Sequence, residues 1–246
     1  MYFLISMPDL PVASLWTAYI QSNLVGQAIV LVQIVMSVVV WSIMVGKWQE
    51  LRVMHLIARR FRKVFDNAHE ALEIFFQQRR SDNPMALVYQ SACEKLVKSL
   101  GPETRDAVLG RREGLTGRTL TARDLSLVKG VTEQSLAEQL VRIERGMNLL
   151  ATGATAAPLI GLLGTVWGLL DAFQAMSGKG SAMLTDVAPG ISSAMLTTVV
   201  GLLVAIPSSI GYNALLGRVR GLSIELDGFT DELLGRLSCE FQGRDS

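Results

Sequence analysis

The sequence predicts an all-α integral membrane protein with three transmembrane helices and long cytoplasmic helical extensions. Three runs contain no formally charged residue: 24–45 and 149–170 have 22 residues each, and 187–217 has 31. A hydrocarbon core of about 30 Å is crossed by about 20 helical residues, so each run is long enough to span it. The composition agrees, because 50% of the 246 residues are hydrophobic and only 18% are charged. A soluble domain of this length is less apolar.

The distribution of Lys and Arg predicts the orientation. Of the 23 basic residues, 22 lie within 47–145 or from 218 onward, and the other is Lys179. Because basic residues accumulate on the cytoplasmic side, we expect both regions to be cytoplasmic and the N-terminus to be outside. The predicted segments are the outer N-terminus 1–23, span 24–46, the cytoplasmic helical domain 47–146, span 147–170, the outer loop 171–186, span 187–217 and the cytoplasmic C-terminal helix 218–246.

A cleaved secretory signal peptide is the alternative interpretation of the first run. Such a peptide needs a basic n-region and a shorter apolar core. Residues 1–23 contain one charged residue, Asp9, and no Lys or Arg. We therefore interpret the first run as a retained span.

Apolar periodicity predicts that the cytoplasmic domain is helical. Residues 48–78 lack Pro and Gly, which favours one helix continuing from the first span, or two with a bend. A shorter helix is expected over 85–100. A last helix is expected from about Thr132 into the second span without a break.

Small residues recur at three- and four-residue spacing in the second and third spans. This spacing lets helix backbones approach closely in lipid. The predicted helix-packing residues are Gly153, Ala157, Gly161, Gly164, Gly168, Ala194, Gly201 and Ala205.

Three prolines lie in the later spans. Pro158 and Pro207 are interior to theirs and predict a kink or local unwinding. Pro189 lies near the start of the third span, where Pro is well tolerated.

The hydroxyls of Thr165 and Thr198 fall on the stripes of small residues, away from lipid. Each can bond the carbonyl four residues before it in its own helix, which spacing alone favours. Each can also bond a neighbouring helix, water or a passing ion. Both interpretations stay open at this point.

No Asp, Glu, Lys, Arg or His occurs in the three uncharged runs. Proton transport normally requires an ionisable group at depth, so a channel built from this chain needs a carboxylate from another chain. Phosphate-binding, hydrolase, zinc and dinucleotide motifs are not found, so we expect neither an enzyme nor a cofactor. The net charge of +1 argues against a nucleic-acid partner.

Apolar residues of the C-terminal helix recur at steps close to a heptad. A second line of residues consists of glycines, which weaken an isolated helix and favour close packing in a bundle. We expect this packing to be between subunits, and therefore a homo-oligomer. The apolar seam is Leu215, Val219, Leu222, Leu226, Phe229, Leu233 and Leu237, and the glycine line is Gly217, Gly221, Gly228 and Gly235.

Two ordered strings, GLLGTVWG at 161–168 and APGISSAMLTTVVGLLVAIP at 188–207, resemble the signature of the TolQ/ExbB/MotA family of ion-driven motor subunits in the bacterial inner membrane. The likeness is greater to TolQ and ExbB than to MotA, which has four membrane helices. The resemblance implies a pentamer around two helices of a TolR/ExbD-like partner with a single membrane span. It implies that the partner's Asp faces Thr165 and Thr198, and that proton flow drives the motor. A passive three-pass scaffold without ion conduction is the alternative.

The sequence departs from the family at Ser193, where many TolQ and ExbB sequences have Glu. Serine does not titrate, so we expect water and the hydroxyls of Ser192, Ser193 and Thr197 to carry the path there, or a different ion to be coupled. Thr197 lies about 100° around the helix from Thr198 and is expected to matter less.

The orientation is testable by thiol labelling. Single cysteines introduced at Ser6 and Gly178 should react with an impermeant reagent in intact cells, and one at Ser81 should not, because the basic residues place it in the cytoplasm. Labelling at Ser81 would overturn the orientation.

Overall fold

Five helices of 16 residues or more form most of the described chain. The computed structural model describes residues 16, 18–20, 22–68, 70–72, 74–75, 82–99, 121–177 and 184–241. No strand occurs among these residues, and the predicted all-α class is confirmed. The helices are α1 (Leu24–Asp66), α2 (Pro84–Ser99), α3 (Ala122–Glu144), α4 (Met147–Ser177) and α5 (Leu184–Phe241).

Three helical stretches are long and apolar enough to cross a membrane: Leu24–Asp66, Ala122–Ser177 and Val187–Phe241. Large apolar side chains such as Val38, Leu163 and Leu203 are exposed on them. Lipid tails accept such a surface. The prediction of three membrane spans is confirmed, whereas the outer and inner placement of the segments between them stays a prediction. The labelling positions Ser6, Ser81 and Gly178 lie outside the described residues.

The chain divides into two compact units. The first, called here the span unit, consists of residues 1–47 and 146–215. The second, the tail unit, consists of 48–145 and 216–246. Helices α1 and α5 contribute residues to both units.

In the span unit, α4 and α5 meet through residues without large side chains. A methyl group added at Gly161 would lie 2.9 Å from the Thr197 carbonyl oxygen, and one at Gly168 would lie 2.8 Å from Cβ of Ala194. These distances leave no room for a side chain. All eight predicted packing residues are buried within this one chain, so their spacing alone does not require a second subunit.

The three prolines lie inside continuous helices. Helix α4 runs unbroken through Pro158, and α5 through Pro189 and Pro207. Local unwinding is not observed at these prolines, and the kinks expected at Pro158 and Pro207 stay a prediction. Pro189 is also further inside its helix than predicted, because α5 begins at Leu184.

The heptad seam of the C-terminal helix is buried within the same chain, and its residues from Val219 onward belong to the tail unit. All seven seam residues are at most 2% exposed. Phe229 makes edge-to-face contacts with Phe61 and Phe65, with ring centroids 5.7 and 5.0 Å apart. The expectation that this seam packs between subunits was wrong. A methyl group added at any of the four tail glycines would have no side chain of this chain within 4 Å, so the glycine line faces open space.

Helix α1 ends at Asp66, before the predicted end near residue 78. The chain then turns, because side chains of the tail unit bond its backbone in place of helical partners. The Ala71 amide donates to the Glu240 carboxylate, 2.9 Å away, and the Tyr89 hydroxyl donates to the Ala71 carbonyl. These partners are distant in sequence, and local periodicity does not reveal them.

A turn at Arg145–Gly146 separates α3 from α4. Gly146 has φ of +87°, a conformation that glycine adopts at little cost. The expectation of one unbroken helix into the second span was therefore wrong. Helix α3 also begins earlier than predicted, at a capping box formed by Thr121 and Asp124.

The close approach at Gly161 is testable by a matched pair of substitutions. Gly161→Ala should lower the thermal unfolding midpoint in detergent, because the α5 backbone must shift and overpacking costs about 1–3 kcal/mol. Gly130→Ala should not, since a methyl group there meets nothing within 4 Å and Ala is the better helix former. Equal midpoints for the two variants would contradict the packing described here.

Candidate functional site

Three hydroxyl groups surround one backbone carbonyl where α4 and α5 meet. The Oγ1 atoms of Thr165, Thr197 and Thr198 each lie 3.2 Å from the Gly161 carbonyl oxygen. The hydroxyls of Thr165 and Thr198 also contact each other directly. We call these three residues the threonine cluster.

Glycines make the cluster possible. Because Gly161 has no side chain, its carbonyl is accessible to hydroxyls of the neighbouring helix. The side chain of Thr197 occupies the space where a methyl group of Gly164 would lie. A larger residue at either position would separate α4 from α5 and move the hydroxyls apart.

The sequence left two kinds of hydrogen bond open for the threonines, one within their own helix and one to a neighbouring helix. The structure contains both kinds. Thr165 does reach the carbonyl four residues before it, at Gly161, as the structural interpretation expected. Its oxygen also lies 3.2 Å from the Ala194 carbonyl of α5. Thr198 reaches the carbonyl of Gly161 on the other helix.

A hydroxyl group has one hydrogen to donate and can also accept. The several acceptors within reach of Thr165 are therefore alternatives, and so are the two within reach of Thr197, the carbonyls of Gly161 and Ala194. Rotation of one hydroxyl hydrogen changes which partner is bonded. The cluster can therefore reorganise its hydrogen bonds without moving a helix.

The members of the cluster differ in burial. Thr197 is 1% exposed, whereas Thr165 and Thr198 are half-buried. Leu162 and Met195, each three residues before one of these threonines and so on a neighbouring part of the same helix face, are exposed. The Thr165–Thr198 pair therefore lies in an apolar surface that a lipid or another helix can cover.

Gln33 of α1 adjoins the cluster, and sequence analysis missed it. Its Nε2 donates to the Thr197 carbonyl at 3.1 Å and approaches the Ala157 carbonyl at 3.5 Å. The side chain is 0% exposed, and its Oε1 has no hydrogen-bond partner among the residues that the structure describes. A polar amide in a membrane span is costly unless bonded. Gln33 lies deeper in the run 24–45 than the other glutamine there, Gln27. That depth was the signal available, and the Gln33 amide links α1 to both other spans.

Ser193 is not part of the cluster. It is 5% exposed, and its Oγ lies 3.2 Å from the position of a methyl group at Gly26 on α1. Ser192 is exposed. The structure thus brings Thr165, Thr197 and Thr198 together and places Ser193 about one helical turn from Thr197, facing α1.

The cluster has no charge of its own. The formally charged side chains described in the span unit are Asp171 and Lys47, and neither belongs to it. No group of His, Cys, Asp or Glu suited to a metal ion occurs among the described residues. Chemically, the threonine cluster can donate and accept hydrogen bonds but cannot hold an extra proton near neutral pH.

Comparison with known proteins identifies the family of the chain. Residues 105–227, half of the chain, match the MotA/TolQ/ExbB proton channel family. The chain belongs to this family. The matched segment contains α3, α4 and the first part of α5, and therefore the whole threonine cluster. The resemblance noted in the sequence is confirmed.

Individual members of the MotA/TolQ/ExbB family match between 42% and 89% of the chain. The Tol-Pal system protein TolQ of Haemophilus influenzae is 28% identical over 219 residues, which cover 87% of this chain and 89% of TolQ. The biopolymer transport protein ExbB of Xanthomonas campestris is 38% identical over 104 residues, 42% of this chain and 41% of ExbB. ExbB of Pseudomonas putida is 26% identical over 220 residues, 89% of this chain and 62% of ExbB. The chain is thus a TolQ/ExbB-like membrane protein and not an enzyme.

Proposed function

We propose that the chain is the channel subunit of a motor in the bacterial inner membrane that is driven by the proton motive force. Several copies surround a membrane helix of a partner protein, and an Asp of that helix carries the proton past Thr165 and Thr198. The motion that results is transmitted to the cell envelope. The observation that carries this proposal is the pair of half-buried hydroxyls in an apolar surface, with no titratable group in the cluster.

The hydroxyl pair suits a carboxylate that alternates between two states. An ionised carboxylate accepts hydrogen bonds only, and a protonated one also donates. Threonine hydroxyls can both donate and accept, so the same pair can bond either state after rotation of its hydrogens. Burying an unpaired carboxylate in lipid is costly, and these hydroxyls lower that cost.

The partner and the assembly follow from family membership. We propose a TolR/ExbD-like partner with one membrane span and an Asp in it, with five copies of this chain around two partner helices. The orientation predicted from the basic residues is part of the proposal: the N-terminus and the loop before α5 are periplasmic, and the C-terminus is cytoplasmic.

The process that is energised is proposed to be of the Tol-Pal type. The support is that the match with TolQ of Haemophilus influenzae covers nearly nine tenths of both chains. The ExbB of Pseudomonas putida has additional length that this chain does not cover. Energising outer-membrane uptake, as for ExbB, and a specialised task such as gliding are the alternatives within the same mechanism.

Thr→Val substitutions test the proposal. Val keeps the branched shape of Thr and removes the hydroxyl. A hydrogen bond to a charged group contributes about 1.5–3 kcal/mol, so proton uptake by the reconstituted complex should fall by about tenfold or more in Thr165→Val and Thr198→Val, with assembly intact. Thr197→Val should have a smaller effect, because that side chain is buried away from the partner's surface.

Two substitutions serve as matched controls. Thr155 is an exposed threonine of α4 whose hydroxyl bonds only carbonyls of its own helix, at Ala151 and Thr152. Thr155→Val and Ser193→Ala should both retain substantial uptake. Activity in cells should collapse with a protonophore and persist without sodium. Normal uptake in Thr198→Val, or loss of assembly in step with activity, would favour the passive scaffold instead.

A further inference from the structure

A small polar cavity lies beside the threonine cluster in the span unit. Its volume is about 230 Å³, and residues from the start of α1, from α4 and from α5 line it. The lining residues are Asn23, Gly168, Asp171, Ala172, Ala175, Pro189, Gly190 and Ser193. None of these belongs to the threonine cluster.

The cavity contains a carboxylate that is held in place. Asn23 Nδ2 donates to Asp171 Oδ2 at 3.1 Å, and Asn23 Oδ1 accepts the Gly26 amide at 2.7 Å. Asn23 therefore caps the start of α1 and orients Asp171 with the same side chain. Among the described residues of the cavity wall, the partner of the carboxylate is an amide and not a cation.

Asp171 stands apart from the other charged side chain that the structure describes in the span unit. That side chain is Lys47, which is 24 residues along from Asn23 and thus about 36 Å away along α1. The cavity residues contributed by α1 and α5 are uncharged. Among the described residues that line the cavity, Asp171 is the titratable one.

The cavity lies about one helical turn from the cluster. Gly168 is three residues beyond Thr165, and Ser193 is four residues before Thr197, which corresponds to about 5–6 Å along each helix. Between them is Ala194, whose carbonyl lies within 3.2 Å of Thr165 Oγ1 and within 2.8 Å of Thr197 Oγ1. Ala194 thus joins the cavity side of α5 to the threonine hydroxyls.

We propose that Asp171 is the proton-entry residue of the channel. It binds a proton from the outer solution and passes it, through water in the cavity, to the group that occupies the threonine cluster. When the proton leaves, the carboxylate is ionised again, so no other reactant is consumed. Asn23 is a positioning residue that orients the carboxylate. This inference rests on the proposed function, and on the outer placement of the loop after α4.

The test is proton uptake by proteoliposomes that contain the complex of the chain with its one-span partner, measured with an internal pH dye over a range of outer pH. A group that relays protons typically contributes about 10²–10⁴-fold. Asp171→Asn should therefore lower uptake by at least about tenfold and abolish its saturation at low outer pH. Asp171→Glu should restore both uptake and saturation, because it returns a carboxylate.

Asn23→Ser separates the positioning of Asp171 from the capping of α1, because the dependence of uptake on outer pH should respond only to the former. Ser still caps α1 but does not reach Asp171 with an amide. Loss of that amide leaves the carboxylate unoriented, so the dependence of uptake on outer pH should change while the complex still assembles. Thr155→Val, 13 residues before Gly168 on α4, is the control and should leave that dependence unchanged.

The outcomes separate this inference from the proposed function. Wild-type uptake and an unchanged pH profile in Asp171→Asn would overturn the entry role while leaving the channel intact. Equal losses in Asp171→Asn and Asp171→Glu, with disrupted assembly, would also overturn it in favour of a structural role. Absence of uptake in the wild-type complex would instead contradict the proposed function itself.

Discussion

The contact between the backbones of α4 and α5 at Gly161 is the constraint on which the site depends. A methyl group at this position would lie 2.9 Å from the Thr197 carbonyl oxygen and 3.1 Å from Cα of Thr198. Because no side chain intervenes, three hydroxyls reach one carbonyl and two of them reach each other. Van der Waals packing of small residues drives helix association in lipid, and here the same packing builds a polar site. Stability and function are therefore linked at one residue.

In the span unit, the uncharged hydrogen-bonding groups and the charged carboxylate of Asp171 lie in different places. Hydroxyls and one amide are placed at the centre, where an unpaired charge would be costly, and Asp171 lies at the end of the unit, beside a cavity. This arrangement supports the proposal that a partner supplies the carboxylate, because the chain's own uncharged runs hold hydroxyls and amides but no carboxylate. In the proposed mechanism, the proton passes from Asp171 to the hydroxyls and the partner's Asp.

Sequence reasoning succeeded where the bilayer imposes a local rule and failed where distant residues decide. The spans were predictable because an uncharged run of about 20 residues has few alternatives, and Thr165 and Thr198 because they fall on stripes of small residues. The end of α1 was not predictable, since it depends on hydrogen bonds of Ala71 with Glu240 and Tyr89, which are distant in sequence. Gln33 was overlooked because a search for charges passes over an amide. The difference in burial between Thr197 and Thr198 could not be predicted, because it depends on where α4 packs against α5.

The central claim is that the surface around Thr165 and Thr198 receives a partner's membrane helix. A photoreactive amino acid at Met195, which is 62% exposed and lies one turn before Thr198, tests it most directly, with Val38 of α1, 65% exposed, as the matched lipid-facing control. Irradiation of cells should join the chain at Met195 to a short protein with one span and an Asp within that span, and should not do so at Val38. Capture of such a protein from Val38 alone, or of a protein at Met195 whose span has no ionisable residue, would contradict the account.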